Sequence, residues 1–123
     1  MKQSLLTILL FLLLNSCGFG NKGIDVSIEN NTEYTLYNVS VSASPVCIVK
    51  FDSISSNQIV TKYLDMNEIQ RTDGSYTIKF TYPDGNLMNE SFGYYTNGWP
   101  NNYLICCSIS EMSTFTRFDS YCK

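Results

Sequence analysis

A chain of 123 residues with eight Lys and Arg against eleven Asp and Glu carries a formal charge of −3, so it offers no basic surface for nucleic acid and no charge attraction to anionic lipid. It is 44% hydrophobic and 14% aromatic but only 15% charged, a globular composition with enough material for one core. The absence of histidine excludes Ser-His-Asp and Cys-His catalysis and any imidazole metal cluster.

The chain begins Met1-Lys2-Gln3-Ser4 and runs into a ten-residue stretch, 5–14, that is apolar except for Thr7. One early cation before a short apolar run is the layout of a secretory signal, and the run is too short for the roughly 20 residues of a spanning helix. It closes on Leu14-Asn15-Ser16-Cys17. That tetrad resembles the lipobox of bacterial lipoproteins, in the relaxed form seen in Bacteroidota; Asn15 stands where a smaller residue is usual. The resemblance implies that the Cys17 thiol is joined to diacylglycerol and that the signal is cut just before it. Ser16 would be the small residue the peptidase accommodates. The other reading is an ordinary signal peptide cut after Gly18, with Ser16 and Gly18 as its small pair. The expected organisation is a signal peptide over 1–16, a lipidated Cys17 and flexible tether over 17–23, and one domain over 24–123. The expected location is the cell envelope, lipid-anchored to a bacterial membrane, with the periplasmic face of the outer membrane favoured and the choice of membrane and face left open.

Period-2 alternation dominates the chain beyond the tether. Ile24, Val26 and Ile28 alternate with polar residues, and Asn30-Asn31-Thr32 supplies a turn. Tyr37, Val39 and Val41 form the next stripe, then Cys47, Val49 and Phe51. In 57–69 the residues Ile59, Thr61 and Tyr63 favour a strand with a short turn near 65–68, although Ile59, Tyr63 and Met66 also fit a helical face. Tyr76, Ile78, Phe80 and Tyr82 alternate before the Pro83-Asp84-Gly85-Asn86 turn into 87–94. Tyr103, Ile105, Cys107 and Ile109 make another stripe, and 114–118 is the last strand. Short β-branched and aromatic strands between Gly, Pro, Asn and Asp turns predict an all-β fold: a small antiparallel immunoglobulin-like β-sandwich of seven to eight strands. The mature half also resembles small lipoproteins of the same kind in its general pattern, a likeness that brings a fold expectation and no activity.

Four cysteines follow Cys17, and four allow three pairings. Neighbours on a strand point to opposite faces, so Cys106 and Cys107 are not expected to pair with each other. Alternation places Cys107 and Cys47 on core faces, which predicts Cys47–Cys107 and Cys106–Cys122. Some of the four could instead be free thiols packing as small hydrophobes. No metal and no cofactor is expected, since the adjacent pair is not C-x-x-C.

The segment 92–103 gathers the only tryptophan with tyrosines among Asn, Gly and Pro. Flat rings beside amide groups suit sugar faces and hydroxyls, or a protein partner, and Tyr95, Asn97, Trp99 and Asn101 are the candidate ligand-binding residues. The structural alternative makes Trp99 a cap on the sandwich and Tyr94 and Tyr103 core. Asp65, Glu68, Asp73, Asp84 and Glu90 are scattered at turns and strand surfaces and read as solvated charge rather than a catalytic pair. The expected function is therefore non-catalytic: a lipid-anchored envelope protein in a binding or structural role. Its partners would be the membrane, through the lipid, and an envelope protein or glycan. The alternatives are a carbohydrate-binding accessory module and a secreted, disulfide-bonded domain without an anchor. For the last, Asn30-Asn31-Thr32, Asn38-Val39-Ser40 and Asn89-Glu90-Ser91 match the N-glycosylation pattern.

Overall fold

The alternating segments become strands in the computed structural model, which describes residues 20–111, 114–118 and 122. In chain order they are β1 (Gly23–Asn30), β2 (Leu36–Ser42), β3 (Ile48–Ile54), β4 (Ile59–Asp65), β5 (Gly74–Thr81), β6 (Leu87–Thr96), β7 (Trp99–Pro100), β8 (Leu104–Ile109) and β9 (Thr114–Phe118). The ambiguous 57–69 segment is a strand followed by a turn. One sheet has the order β4-β1-β8-β9 and the other β3-β2-β5-β6-β7. The chain forms the small β-sandwich that its alternation predicts, with two departures. The two-residue β7 brings the described strands to nine. And β1 pairs in parallel with β8, Asp25 opposite Leu104 through Asn30 opposite Ile109, so the sheets are not wholly antiparallel.

The core lies between the sheets. Ile24, Val26 and Ile28 from β1 meet Val39 and Val41 from β2, Tyr76, Ile78 and Phe80 from β5, and Ile105 and Ile109 from β8, all essentially inaccessible. Burying each such side chain contributes about 1.5–3 kcal/mol. One open edge of the sandwich is closed by Lys62, whose ammonium crosses from β4 to the Lys50 carbonyl of β3 at 2.8 Å and lies 5.8 Å from the Phe51 ring centroid. Its stem covers apolar surface while its charge stays wet.

Two bulges change the expected phase. Asn38 and Asp52 adopt φ values of 50° and 60° where the β2–β3 register shifts. The inserted residue puts Leu36 in the core and leaves Tyr37 exposed, which corrects Tyr37 as a member of the inward stripe. Gly93, at φ 52°, does the same to β6: Phe92 and Tyr95 point inward and Tyr94 outward.

The strands define two poles. Gly23 at the start of β1 lies opposite Asp65 at the end of β4, and the start of β8 lies alongside. The 66–73 loop, the 43–47 turn and the β6–β7 turn gather at this N-terminal pole. Asn30, the β3–β4 turn, the 82–86 turn and Glu111 mark the opposite pole. β1 starts at Gly23, one residue before the expected domain boundary; the Lys22 carbonyl accepts the Met66 N–H at 2.8 Å, and the Lys22 ammonium donates to the Ile69 carbonyl at 2.7 Å.

Candidate functional site

The β6–β7 hairpin turns at Asn97-Gly98, whose φ values of 54° and 73° suit a two-residue turn matched to strand twist. Its tip is docked. The Asn97 N–H donates to Asp73 Oδ1 at 2.8 Å and the Gly98 N–H to the Thr72 carbonyl at 2.7 Å. A Cβ at position 98 would stand 2.5 Å from the Gln70 carbonyl oxygen, so the contact requires glycine.

The four ligand candidates separate on this frame. Tyr95 is buried, donates its hydroxyl to the Ala43 carbonyl at 2.9 Å, and meets Tyr76 edge-on at 5.6 Å between centroids. It is a core residue, which corrects its place in the candidate site. Asn97 serves the turn through its backbone. Asn101 Nδ2 donates to Thr96 Oγ1 at 3.2 Å and approaches the Tyr94 carbonyl at 3.5 Å. Trp99 is 49% exposed, with the Lys22 ammonium 5.9 Å from its ring centroid. Thr96 faces Trp99 across the hairpin, so Tyr94, two residues earlier, shares their outer face. Tyr94 and Tyr103 are 67% and 91% exposed, so neither is the core residue that the capping alternative requires. The exposed set is therefore Tyr94, Trp99 and Tyr103 with Asn101. Bulge phase hides Tyr94 from pattern reading, and Lys22 lies in the segment whose sequence reads as tether.

A second feature is invisible in the sequence because its residues come from three distant segments. At the opposite pole a cleft of about 460 Å³ is lined by Tyr34, Tyr82, Pro83, Asp84, Asn86 and Glu111. Tyr34 and Tyr82 meet edge-to-face at 5.8 Å. Burial raises the Tyr34 phenol pKa first, and the neighbouring Tyr82, Glu111 and Asp84 raise it further, which marks the cleft as electronegative. Asp84 also accepts the Asn86 N–H at 2.9 Å and its side-chain amide at 2.6 Å, which fixes the turn.

The cysteines divide between the core and the outer face of the four-stranded sheet. Cys106 is bonded to Cys122, on the side away from the core and beside its strand partner Ser27. Cys47 and Cys107 are free and buried, which corrects the predicted Cys47–Cys107 bridge. Both do face the core, as alternation requires, but they lie at different ends of it. Cys47 sits in the 43–47 turn at the N-terminal pole, bonded through its carbonyl to the Ala43 N–H at 3.0 Å. Cys107 is paired with Ile28, one step from the residues that flank Asn30. Cys17 lies outside the described residues.

The remaining carboxylates do not converge. Asp65 accepts the Asn67 N–H at 2.8 Å and Asp73 the Asn97 N–H, while Glu68 and Glu90 are exposed. Asn30 cannot serve as a glycan acceptor in the folded chain. Its amide nitrogen donates to the Tyr34 and Ile54 carbonyls at 2.8 and 2.9 Å, and its amide oxygen accepts from Thr32 N and Oγ1 at 3.0 and 2.6 Å.

No protein-family model matches the chain, and no curated protein does. Among solved structures, the NMR structure of a protein from Eubacterium rectale is similar, with a TM-score of 0.56 at 10% identity, covering 86% of this chain and 97% of that one. At that identity the likeness is one of fold: the chain shares a β-sandwich architecture with the Eubacterium rectale protein.

Proposed function

We propose that the chain is a lipid-anchored cell-envelope protein whose β-sandwich acts by binding and not by catalysis. The observation that carries this reading is the passage from Leu14-Asn15-Ser16-Cys17 into the domain, with only four residues between Cys17 and the fixed Lys22. An acylated Cys17 would hold the N-terminal pole against a membrane and turn the opposite pole outward. Two or three acyl chains make a durable anchor where one is marginal. The outward pole carries the aromatic, acid-rimmed cleft, whose rings and carboxylates suit a positively charged group on a partner. Nothing in the residue inventory supplies an imidazole for proton transfer.

The test is the intact mass of the full chain produced in a bacterium with its own signal. A mature chain beginning at Cys17, heavier by diacylglycerol and acyl groups, is the expected result. A soluble chain beginning near Phe19 overturns the anchor and favours the secreted reading.

A second reading has its own observation. Tyr94 and Trp99 share one outer face with the Asn101 amide nearby, an arrangement that suits a sugar ring. A carbohydrate-binding module would show a Trp99 fluorescence change with soluble glycans in the absence of any membrane.

A further inference from the structure

Large exposed hydrophobic side chains are unevenly shared between the two poles. Among the described residues nine are exposed, and six of them, Val46, Ile48, Tyr63, Tyr94, Trp99 and Tyr103, lie toward the N-terminal pole. Their strand positions place them there: Ile48 pairs with Ser42 beside the 43–47 turn, Tyr63 with Asp25 near the start of β1, and Trp99 with Thr96 on the docked hairpin. Tyr103 immediately precedes Leu104, which lies opposite Asp25. Tyr37, Ile59 and Leu87 are left to the other pole. Trp99, Tyr94 and Tyr103 lie within ten residues of sequence and, with Tyr63 from β4, are the aromatic members of this crown.

These rings are held on a rigid support. The hairpin tip is bonded to Thr72 and Asp73, and Tyr95 beneath it is bonded to Ala43. Such a support lets the rings meet a partner with little loss of conformational freedom. The length of chain leading away from this pole says what the partner is. Lys22, beside Trp99, stands five residues after Cys17, so the lipid attachment is at most about 18 Å from it at the roughly 3.3–3.6 Å per residue of an extended chain. A pole held that close to a bilayer meets the headgroup layer, where amphipathic Trp and Tyr rings are favoured. Charge does not explain the surface, since Lys22 and Arg71 are accompanied by Asp65, Glu68 and Asp73.

We infer that the Trp99, Tyr94 and Tyr103 crown docks into the headgroup–acyl boundary of the membrane that carries the Cys17 lipid. The inference rests on the anchored reading above and adds an orientation to it: the sandwich stands on this pole with the Tyr34–Tyr82 cleft facing away.

Trp99 is the only tryptophan, so its emission reports on this pole alone. The experiment places the full lipidated chain in phosphatidylcholine vesicles, with its acyl mass measured on the same sample. The expected result is a blue-shifted Trp99 emission, at least twofold protection from acrylamide, and quenching by lipids brominated near the carbonyl. Tyr94→Ser and Tyr103→Ser, both at exposed positions, should weaken that lipid quenching at least twofold while the circular dichroism spectrum is unchanged. A lipidated chain whose Trp99 stays open to acrylamide and untouched by brominated lipid overturns the docking and leaves the anchor standing. A chain without acyl mass overturns both. Protection of Trp99 by a soluble glycan, or by raising the protein concentration without vesicles, also overturns the docking, in favour of a carbohydrate or a second copy of the chain.

Discussion

Asn30 is fully buried, yet every polar atom of its side chain is used, and its own N–H and carbonyl bond to Gln58 and Asn57 at 3.0 and 2.8 Å. It joins the end of β1 to the 32–34 loop, to β3 and to the β3–β4 turn. Truncation would take one donor from each of the Tyr34 and Ile54 carbonyls and remove the side-chain acceptor of the Thr32 N–H and hydroxyl, leaving the Tyr34 carbonyl its bond from Thr32 Oγ1. Asn30→Ala should therefore cost roughly 3 kcal/mol, read as a lowered urea midpoint with an unchanged slope. The buried thiols and phenol make a second prediction. Burial pushes the Cys107 thiol up to about 12, with the Glu90 carboxylate adding to the shift, and burial pushes the Tyr76 phenol up to about 12, with Tyr95 adding. In the unfolded chain the same groups ionise near 9 and 10. Because the unfolded state loses these protons first, stability is fully present below about pH 9 and falls as pH rises towards 12. Urea midpoints measured from pH 8 to 11 should decline through that window, and Cys107→Ala should remove the part that begins lowest. At pH 8 a thiol reagent should reach Cys47 and Cys107 only when the domain opens.

At the scale of elements, the hairpin and the disulfide carry the predictions. Gly98→Ala would force a side chain into a left-handed φ of 73° and against the Gln70 carbonyl. It should cost about 2 kcal/mol or more, enough to lower the melting temperature by about 8 °C or more in a domain of this size. Reducing Cys106–Cys122, which closes 16 residues of chain, should cost about 3 kcal/mol by loop entropy, and a thermal scan with and without reductant reads it. These elements also show what sequence can and cannot reveal. Strand existence is legible because the inward residues of β1, β5 and β8 keep strict alternation over three or four positions. Phase is not legible in β2, β3 and β6, where Asn38, Asp52 and Gly93 each insert a residue and reverse the faces beyond it. The same reversal exchanges Tyr94 and Tyr95 in the candidate site. Asn97-Gly98 is readable as a turn, but its docking on Gln70–Asp73 depends on a contact some 25 residues away in sequence. Alternation likewise tells that Cys47 and Cys107 face one core, and holds no information on their separation along it.

For the molecule as a whole, topology orders local stability. The strands flanked on both sides, β1 and β8 in one sheet and β2, β5 and β6 in the other, hold most of the buried side chains, while β3, β4, β7 and β9 are edges. Native-state hydrogen exchange should find the slowest amides in β1, β5 and β8 and much faster ones in β7, which has only two paired residues. The cleft at Tyr34 and Tyr82 is hidden from the sequence for the same topological reason. Only the meeting of the 32–34, 82–86 and 111 segments at one pole creates it.

β1, the first strand after Cys17, is interior to its sheet, and under the proposed anchor this would have a mechanical consequence. Tension applied through Cys17 would enter β1 along its own axis, with β4 bonded on one side, β8 on the other, and Asn30 fastened at the far end. The bonds on both flanks would be loaded in shear and have to yield together, whereas an edge hairpin would peel one pair at a time. A domain attached through Cys17 would resist detachment by force more than its modest size suggests, and single-molecule extension from Cys17 should show one high-force rupture rather than a graded unzipping.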